Sequence, residues 1–358
     1  MSSRKTFAIA ALIAVPLIAI GTAVWLHLDT GHGPLAAHLA ALHGSPGSDE
    51  SPHGSSEQSA NGEQAPDPLR IAQRGVADIG SVWNYAARAQ TVRLYANVHR
   101  DIEWPGLLPV ETINYGPQAQ QKLTLWRPEQ EFIEPSLVLL FLHGDGLDGN
   151  SQMLADSEDL MFGHLGKLAA TFGGIGIVAD YRTVTDAGGS SFADPATGSE
   201  DLRLILRWIQ ANVAPMGGDP DTVILLANSQ GATLGARYLF DESAQLSDGP
   251  GIAAAILSSG QFGSRAPDLA DLIAEYDGKQ VPLSLWQGGL DTAEIKAGVA
   301  EVYAQICRRF DNCPTFTELL GHNHLSHILT LGTEQSFEFR RIVTTPLQAL
   351  ISFYHTVR

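Results

Sequence analysis

From about residue 120 onward, short apolar runs alternate with amphipathic stretches. "KLTLW" (122–126) alternates polar and apolar residues, as a half-buried strand does. "LVLLFLH" (137–143) is a continuous apolar run, the mark of a strand covered on both faces. Further short strands follow in "GIGIVADY", "TVILLANS", "IAAAILSS", "VPLSLWQG" and "TFTELL". Between them lie helical patterns. In "SEDLRLILRWIQANV" (199–213), Leu202, Leu204, Ile205, Trp208 and Ile209 recur at helical spacing, with Ser199 or Thr197 as the cap. Strand and helix repeated in this order predict an α/β fold: a mostly parallel twisted sheet with helices on both faces. The segment 69–98 is harder to read. Its pattern suggests a helix at the start and a strand near Thr91–Val98, and no function is placed there.

The chain begins differently. Arg4 and Lys5 precede an apolar run from Thr6 to Leu28, long enough to span a bilayer. It reads as a signal anchor, with a signal peptide cleaved near Gly21, Thr22 and Ala23 as the alternative. No Lys or Arg follows before Arg70, so the positive-inside bias puts the rest of the chain outside the cytoplasm. Residues 29–68 have no aromatic side chain and are rich in Gly, Ser, Pro, Ala and His, a composition that cannot bury enough surface to fold. The expected organisation is therefore an anchor or signal at 1–28, a disordered linker at 29–68 and one catalytic-type domain at 69–358. His32, His38, His43 and His53 are spaced irregularly and read as solvated linker rather than metal ligands.

A formal charge of −17 argues against a nucleic-acid partner, which demands clustered Lys and Arg. Cys307 and Cys313 are the only cysteines. Six positions apart, they can bridge a helix end to the following strand in an oxidising compartment; two independent thiols are the alternative.

In a parallel sheet, chemistry collects in the loops beyond the strands' carboxyl ends. After "VILLAN" comes Ser229 and then a helix, "QGATLGARYLF". A sharp strand-to-helix turn there exposes the serine hydroxyl and needs small residues two positions to either side. Gly231 meets that need, and Ala227 adds only a methyl. Serine requires a base, and the base an orienting carboxylate. The loop after "VPLSLWQ" supplies Asp291, 62 positions on (291 − 229), and the loop after "TFTELL" supplies His322, His324 and His327. His324 is the expected base, Asp291 the expected acid; as an isolated residue Asp291 would cap the next helix. The glycine-rich loop in "FLHGDG" (141–146) offers an oxyanion hole, from the backbone amides of Asp145 or Gly146 together with Gln230.

Together these stretches resemble the α/β-hydrolase superfamily, in particular carboxylesterases and lipases of the hormone-sensitive-lipase or acetyl-xylan/feruloyl-esterase-like type. "FLHGDG" looks like the family's His-Gly-Gly-Gly loop, "ADYR" (179–182) like its Asp-Tyr-Arg, "GGDPDTVILLANSQGA" (217–232) like its elbow, and "GHNHLSHILTLG" (321–332) like its histidine loop. The resemblance covers roughly 110–358. It implies a sheet of about eight strands, hydrolysis of small carboxylic esters through an acyl-enzyme, no metal or organic cofactor, and a structural pair in Asp180 and Arg182. Two departures stand out: Asp145 in place of the middle oxyanion glycine, and Ala227 in place of the first elbow glycine. A catalytically silent binding fold at the cell envelope and an amide or peptide hydrolase are the rival readings. Residues 183–198 are expected to form one wall of the pocket, and Trp286 to belong to the core. Nothing in the sequence specifies oligomeric state.

Overall fold

The computed structural model describes residues 67–130, 136–144, 162–185 and 191–333. The chain divides into two compact units, Met1–Glu63 and Gln64–Arg358, and all described residues lie in the second. The apolar run 6–28, most of the linker, and the oxyanion candidates Asp145 and Gly146 lie outside the described residues. Among the described residues no helix is long and apolar enough to cross a membrane.

Two helices come first, α1 (Pro68–Ile79) and α2 (Tyr85–His99). Asp67 and Pro68, the last two residues of the segment read as linker, cap and start α1, with the Asp67 side chain accepting from the Leu69 amide at 3.0 Å. The expected strand at Thr91–Val98 is instead part of α2. Its β-branched residues suggest a strand, but the buried positions Ala87, Thr91, Val92, Tyr95 and His99 fall on one helical face, and tertiary burial of that face overrides propensity.

The main sheet has eight strands: β1 (Glu111–Asn114), β2 (Lys122–Trp126), β3 (Ser136–Leu142), β4 (Ile175–Ala179), β7 (Gly218–Asn228), β8 (Ala254–Ser258), β9 (Leu283–Gly288) and β10 (Thr315–Leu319). Their spatial order is β1-β2-β4-β3-β7-β8-β9-β10. β2 runs antiparallel to both neighbours; from β4 to β10 every pairing is parallel. A short hairpin, β5 (Val184–Thr185) with β6 (Ser191–Phe192), stands apart.

Alternation along the strands builds two cores. Val138, Leu140, Leu225 and Leu257 face one layer. That layer is covered by α4 (Pro195–Asn212), α5 (Gln230–Phe240), α6 (Leu269–Glu275) and α7 (Ala293–Arg309). Leu139, Phe141, Ile224 and Ile256 face the other, where α1 and α2 pack with α3 (Gly163–Thr171) and α8 (Ser326–Leu329). Trp286 is fully buried in this second layer, as expected of a core residue. Helix α4 starts earlier than its sequence pattern suggests: Asp194 caps it through the Thr197 amide, ahead of Thr197 and Ser199. Cys307 and Cys313 form a disulfide from α7 to the approach of β10.

Candidate active site

Loops from the carboxyl ends of five neighbouring strands, β3, β7, β8, β9 and β10, meet. The loop after β7 carries Ser229, whose φ of 57° and ψ of −121° lie where a residue with a side chain is strained. The turn that imposes this conformation is tight. A methyl on Gly231 would come within 2.5 Å of the Leu142 carbonyl oxygen, so β3 and α5 can approach only if this residue is glycine. Ala227, the residue at the first elbow glycine's position, is fully buried in the core layer under α5. The turn thus forms with alanine at that position.

The Ser229 hydroxyl lies 2.8 Å from His324 Nε2, and His324 Nδ1 lies 2.7 Å from Asp291 Oδ1. A carboxylate only accepts, so Nδ1 carries the proton, Nε2 is the acceptor, and the serine hydroxyl donates to it. All three residues are at most 3% exposed. Asp291 does not cap the following helix; Thr292 does, accepting from the Ile295 amide at 3.3 Å. The second Asp291 oxygen instead accepts from Ser259 Oγ at 2.6 Å and from the Gly288 amide at 2.7 Å. Burial on its own raises the Asp291 pKa. The hydrogen bond and charge of His324, the charge of His327 and the Ser259 hydroxyl more than offset this and hold it below the ordinary carboxylate value.

The other two histidines of the loop take structural positions. His327 is fully buried, donates from Nδ1 to the Asn323 carbonyl at 2.9 Å, and accepts at Nε2 from Ser258 Oγ at 2.6 Å. Burial pushes its pKa down to about 4. His322 lies 3.2 Å from Ser326 Oγ and is likewise pushed down to about 4, by burial and by His327. Ser326 does not cap α8 as an N-terminal hydroxyl would; it is the helix's first residue and accepts from the Asn323 amide. The turn is organised by Asn323, whose Oδ1 accepts from the amides of Leu325 and Ser326.

Of the oxyanion candidates, the Gln230 amide opens α5, where a helix leaves its first N–H groups without internal acceptors. The loop after β3 reaches the same place: a methyl on Gly144 would sit 2.8 Å from Ser229 Cβ, so the backbone passes directly beside that side chain. The Gln230 side chain exchanges two hydrogen bonds with the backbone of Ala193, at 2.8 and 2.9 Å, which docks the end of the 183–198 segment against the elbow.

The expected Asp180–Arg182 pair is replaced by two separate ones. Asp180 lies 3.1 Å from His143 Nε2, while Arg182 binds the fully buried Asp201 through its backbone amide and Nε. Both residues lie beyond the end of β4, where strand alternation no longer sets side-chain direction, and each has its own partner.

Sequence reasoning missed two neighbours of the site. Ser259 follows β8 in a left-handed conformation, φ 48°, that aims its hydroxyl at Asp291; the doubled serine of "ILSS" carried no signal of this. Trp83, in the turn between α1 and α2, stands with its ring centroid 4.2 Å from that of His324. Among the described residues no three His, Cys, Asp or Glu side chains gather as a metal site.

An eight-stranded sheet in this order, with a strained serine at the end of a central strand, defines an α/β-hydrolase fold. Residues 122–266 match the model of the Carboxylesterase family. Over 156 residues the chain is 28% identical to a chlorogenic acid esterase of Aspergillus niger, covering 42% of this chain and 28% of that protein. Over 139 residues it is 30% identical to an acetylcholinesterase of Gallus gallus, covering 37% of this chain and 17% of the relative. The chain thus spans less than a third of the length of these curated relatives. Among solved structures, esterase B from Lactobacillus rhamnosis superposes with a TM-score of 0.57 at 15% identity, over 80% of this chain and 97% of that one. An arylesterase superposes with a TM-score of 0.52 at 13% identity, over 81% and 98%. At such identities the structural likeness speaks for the fold.

Proposed function

We propose that this chain is a serine hydrolase that cleaves small carboxylic esters through an acyl-enzyme on Ser229. The observation that carries the reading is the unbroken hydrogen-bond chain from Ser229 Oγ through His324 to Asp291, on a backbone strained at the serine. His324 Nε2 takes the hydroxyl proton as Ser229 Oγ attacks the acyl carbon. Asp291, kept ionised, stabilises the imidazolium that results. The amide of Gln230, with those of Asp145 or Gly146, stabilises the oxyanion, each donor contributing about 2.7–4 kcal/mol. The C–O bond to the alcohol then breaks, and the proton on Nε2 passes to the departing oxygen. Water follows the same path in reverse, deprotonated by His324 as it attacks the acyl carbon, and releases the acid. The Carboxylesterase match over 122–266 and the esterase relatives support an ester as substrate.

The proposal also places the domain outside the cytoplasm, anchored through residues 6–28, on the strength of the apolar run behind Arg4 and Lys5. Fractionation of the full chain tests this: recovery in the soluble cytoplasmic fraction sinks it.

The chemistry is tested by reacting the protein with a fluorophosphonate probe and an aryl acetate, wild type beside Ser229→Ala. Labelling and turnover are expected in the wild type and absent from the variant. A folded wild type that neither labels nor turns over refutes the proposal and favours a silent binding fold.

A further inference from the structure

The turn between α1 and α2 lies far from the elbow in sequence but beside it in space. Trp83 is only partly buried, and its ring meets the almost fully buried imidazole of His324 at a centroid distance of 4.2 Å and an interplanar angle of 56°. The backbone next to the indole is held in place. Asn84 caps α2 by accepting from the Ala87 amide at 2.9 Å, which sets where the turn ends. Helix α2 is then tied to the histidine loop at three points: Asn323 Nδ2 donates to Thr91 Oγ1 at 2.9 Å, Thr330 Oγ1 to Tyr95 Oη at 3.0 Å, and His99 Nε2 to the Leu329 carbonyl at 2.6 Å. These bonds hold the backbone of α2, and with it the end of the turn that carries Trp83, against the histidine loop. Trp83 and Leu290, the residue before Asp291, also pack on the same core layer.

Granted the reading of the site as an ester hydrolase, this placement bears on the alcohol half of the substrate. The departing oxygen must come within hydrogen-bond reach of His324 Nε2 to receive its proton, about 2.7–3.2 Å. The first atoms of the alcohol therefore pass the imidazole, and a ring in contact with the imidazole is their neighbour. Charge narrows the class further. The guanidinium of Arg88 sits 5.8 Å from the centroid of the Trp83 ring, so the cation that an indole face favours is already supplied by the protein. A cationic alcohol would meet like charge there, even though the chain as a whole is acidic.

We propose that Trp83 is a specificity-determining residue for the leaving group: it forms the wall along which the alcohol departs and selects esters whose alcohol is a flat, uncharged aromatic ring. Ring against ring is a favoured contact when offset or tilted, and it is made while the C–O bond breaks. The acyl half is not touched by this wall.

The test uses the full chain and three acetate esters, of 2-naphthol, of ethanol and of a quaternary-ammonium ethanol, together with 2-naphthyl butyrate. For each, kcat/KM is measured in wild type, Trp83→Ala and Trp83→Phe; this constant reports acylation, the step in which the alcohol leaves. Comparing variant with wild type on one substrate cancels the intrinsic reactivity of each ester. Trp83→Ala is expected to lose roughly tenfold on both naphthyl esters and less than about twofold on ethyl acetate, with Trp83→Phe recovering much of the naphthyl loss. The quaternary-ammonium ester is expected to be no better a substrate for wild type than for Trp83→Ala. An equal loss on every ester overturns the proposal and leaves Trp83 as a support for His324. A loss on the cationic ester larger than on the naphthyl esters overturns it too. Urea unfolding of each variant separates these outcomes from misfolding, and Trp83→Phe, which keeps a ring in place, carries the test if Trp83→Ala does not fold. A wild type inert to all four esters and to the fluorophosphonate overturns the parent reading instead.

Discussion

Replacing Thr91 by valine removes one oxygen from the seam between α2 and the histidine loop and leaves the volume nearly unchanged. Thr91 is fully buried; its hydroxyl donates to the Ala87 carbonyl at 2.9 Å and accepts from Asn323 Nδ2 at 2.9 Å. Asn323, 1% exposed, uses its other amide atom to hold the Leu325 and Ser326 amides, and so shapes the turn that carries His324. In Thr91→Val the Nδ2 donor loses this acceptor in a site closed to water. An unsatisfied buried donor costs about 1–3 kcal/mol, with no cavity to add to it. The Ala87 carbonyl loses less, because it can still accept within the helix. Either the donor stays buried and stability falls by roughly 2 kcal/mol, or Asn323 turns to find a partner and His324 moves; a displacement near 1 Å costs on the order of 10²-fold in rate. Urea unfolding and ester turnover are measured for Thr91→Val, Asn323→Ala, the double variant and Thr91→Ser. The expected outcome is a coupling of about 1 kcal/mol or more between the two sites and recovery in Thr91→Ser, which keeps the hydroxyl. Strict additivity, or a Thr91→Val variant with wild-type stability and wild-type turnover, would refute the reasoning.

Two further predictions follow from the buried charges. Ser259→Ala takes a 2.6 Å hydroxyl from Asp291 and is expected to cost about 1.5–3 kcal/mol at neutral pH. Because the native Asp291 pKa is depressed, that contribution exists above the unfolded carboxylate range and disappears as pH falls through the native pKa, so urea midpoints of variant and wild type should converge in acid; a gap independent of pH counts against the ionised hydrogen bond. His327 is a base whose native pKa is lowered to about 4, so below about 6.5 the unfolded chain takes up a proton that the native state refuses. Stability is therefore full above about 6.5 and falls by roughly 3 kcal/mol on this account by pH 4. His327→Gln should flatten that slope in urea titrations, and an unchanged slope would contradict it.

Much of the molecule is written locally in the chain. Apolar runs of strand length, separated by helical patterns, suffice for a parallel α/β sheet, because burial on both faces leaves a continuous apolar signature. That Ser229, His324 and Asp291 come together is legible for a related reason: each lies in the loop after a recognisable strand, and the fold gathers those loops. Apart from the helix starts at Asp67 and Asp194, the misreadings involve partners distant in sequence. Thr91–Val98 has the composition of a strand and becomes helix because one of its faces meets the histidine loop, 232 residues away at Asn323. Asp180 and Arg182 stand two positions apart, and their side chains diverge to His143 and Asp201. Ser259 matters only because β8 lies next to β9 in the sheet, which brings its hydroxyl to Asp291 across 32 positions. Trp83 stands in a short turn that no periodicity marks, and only the packing of α2 against the loop sets it beside the imidazole. Local pattern determines which segments become strands and which loops follow them. Which side chains meet across those loops depends on strand order and helix docking, and these are decided by the burial of whole faces rather than by any single stretch of sequence.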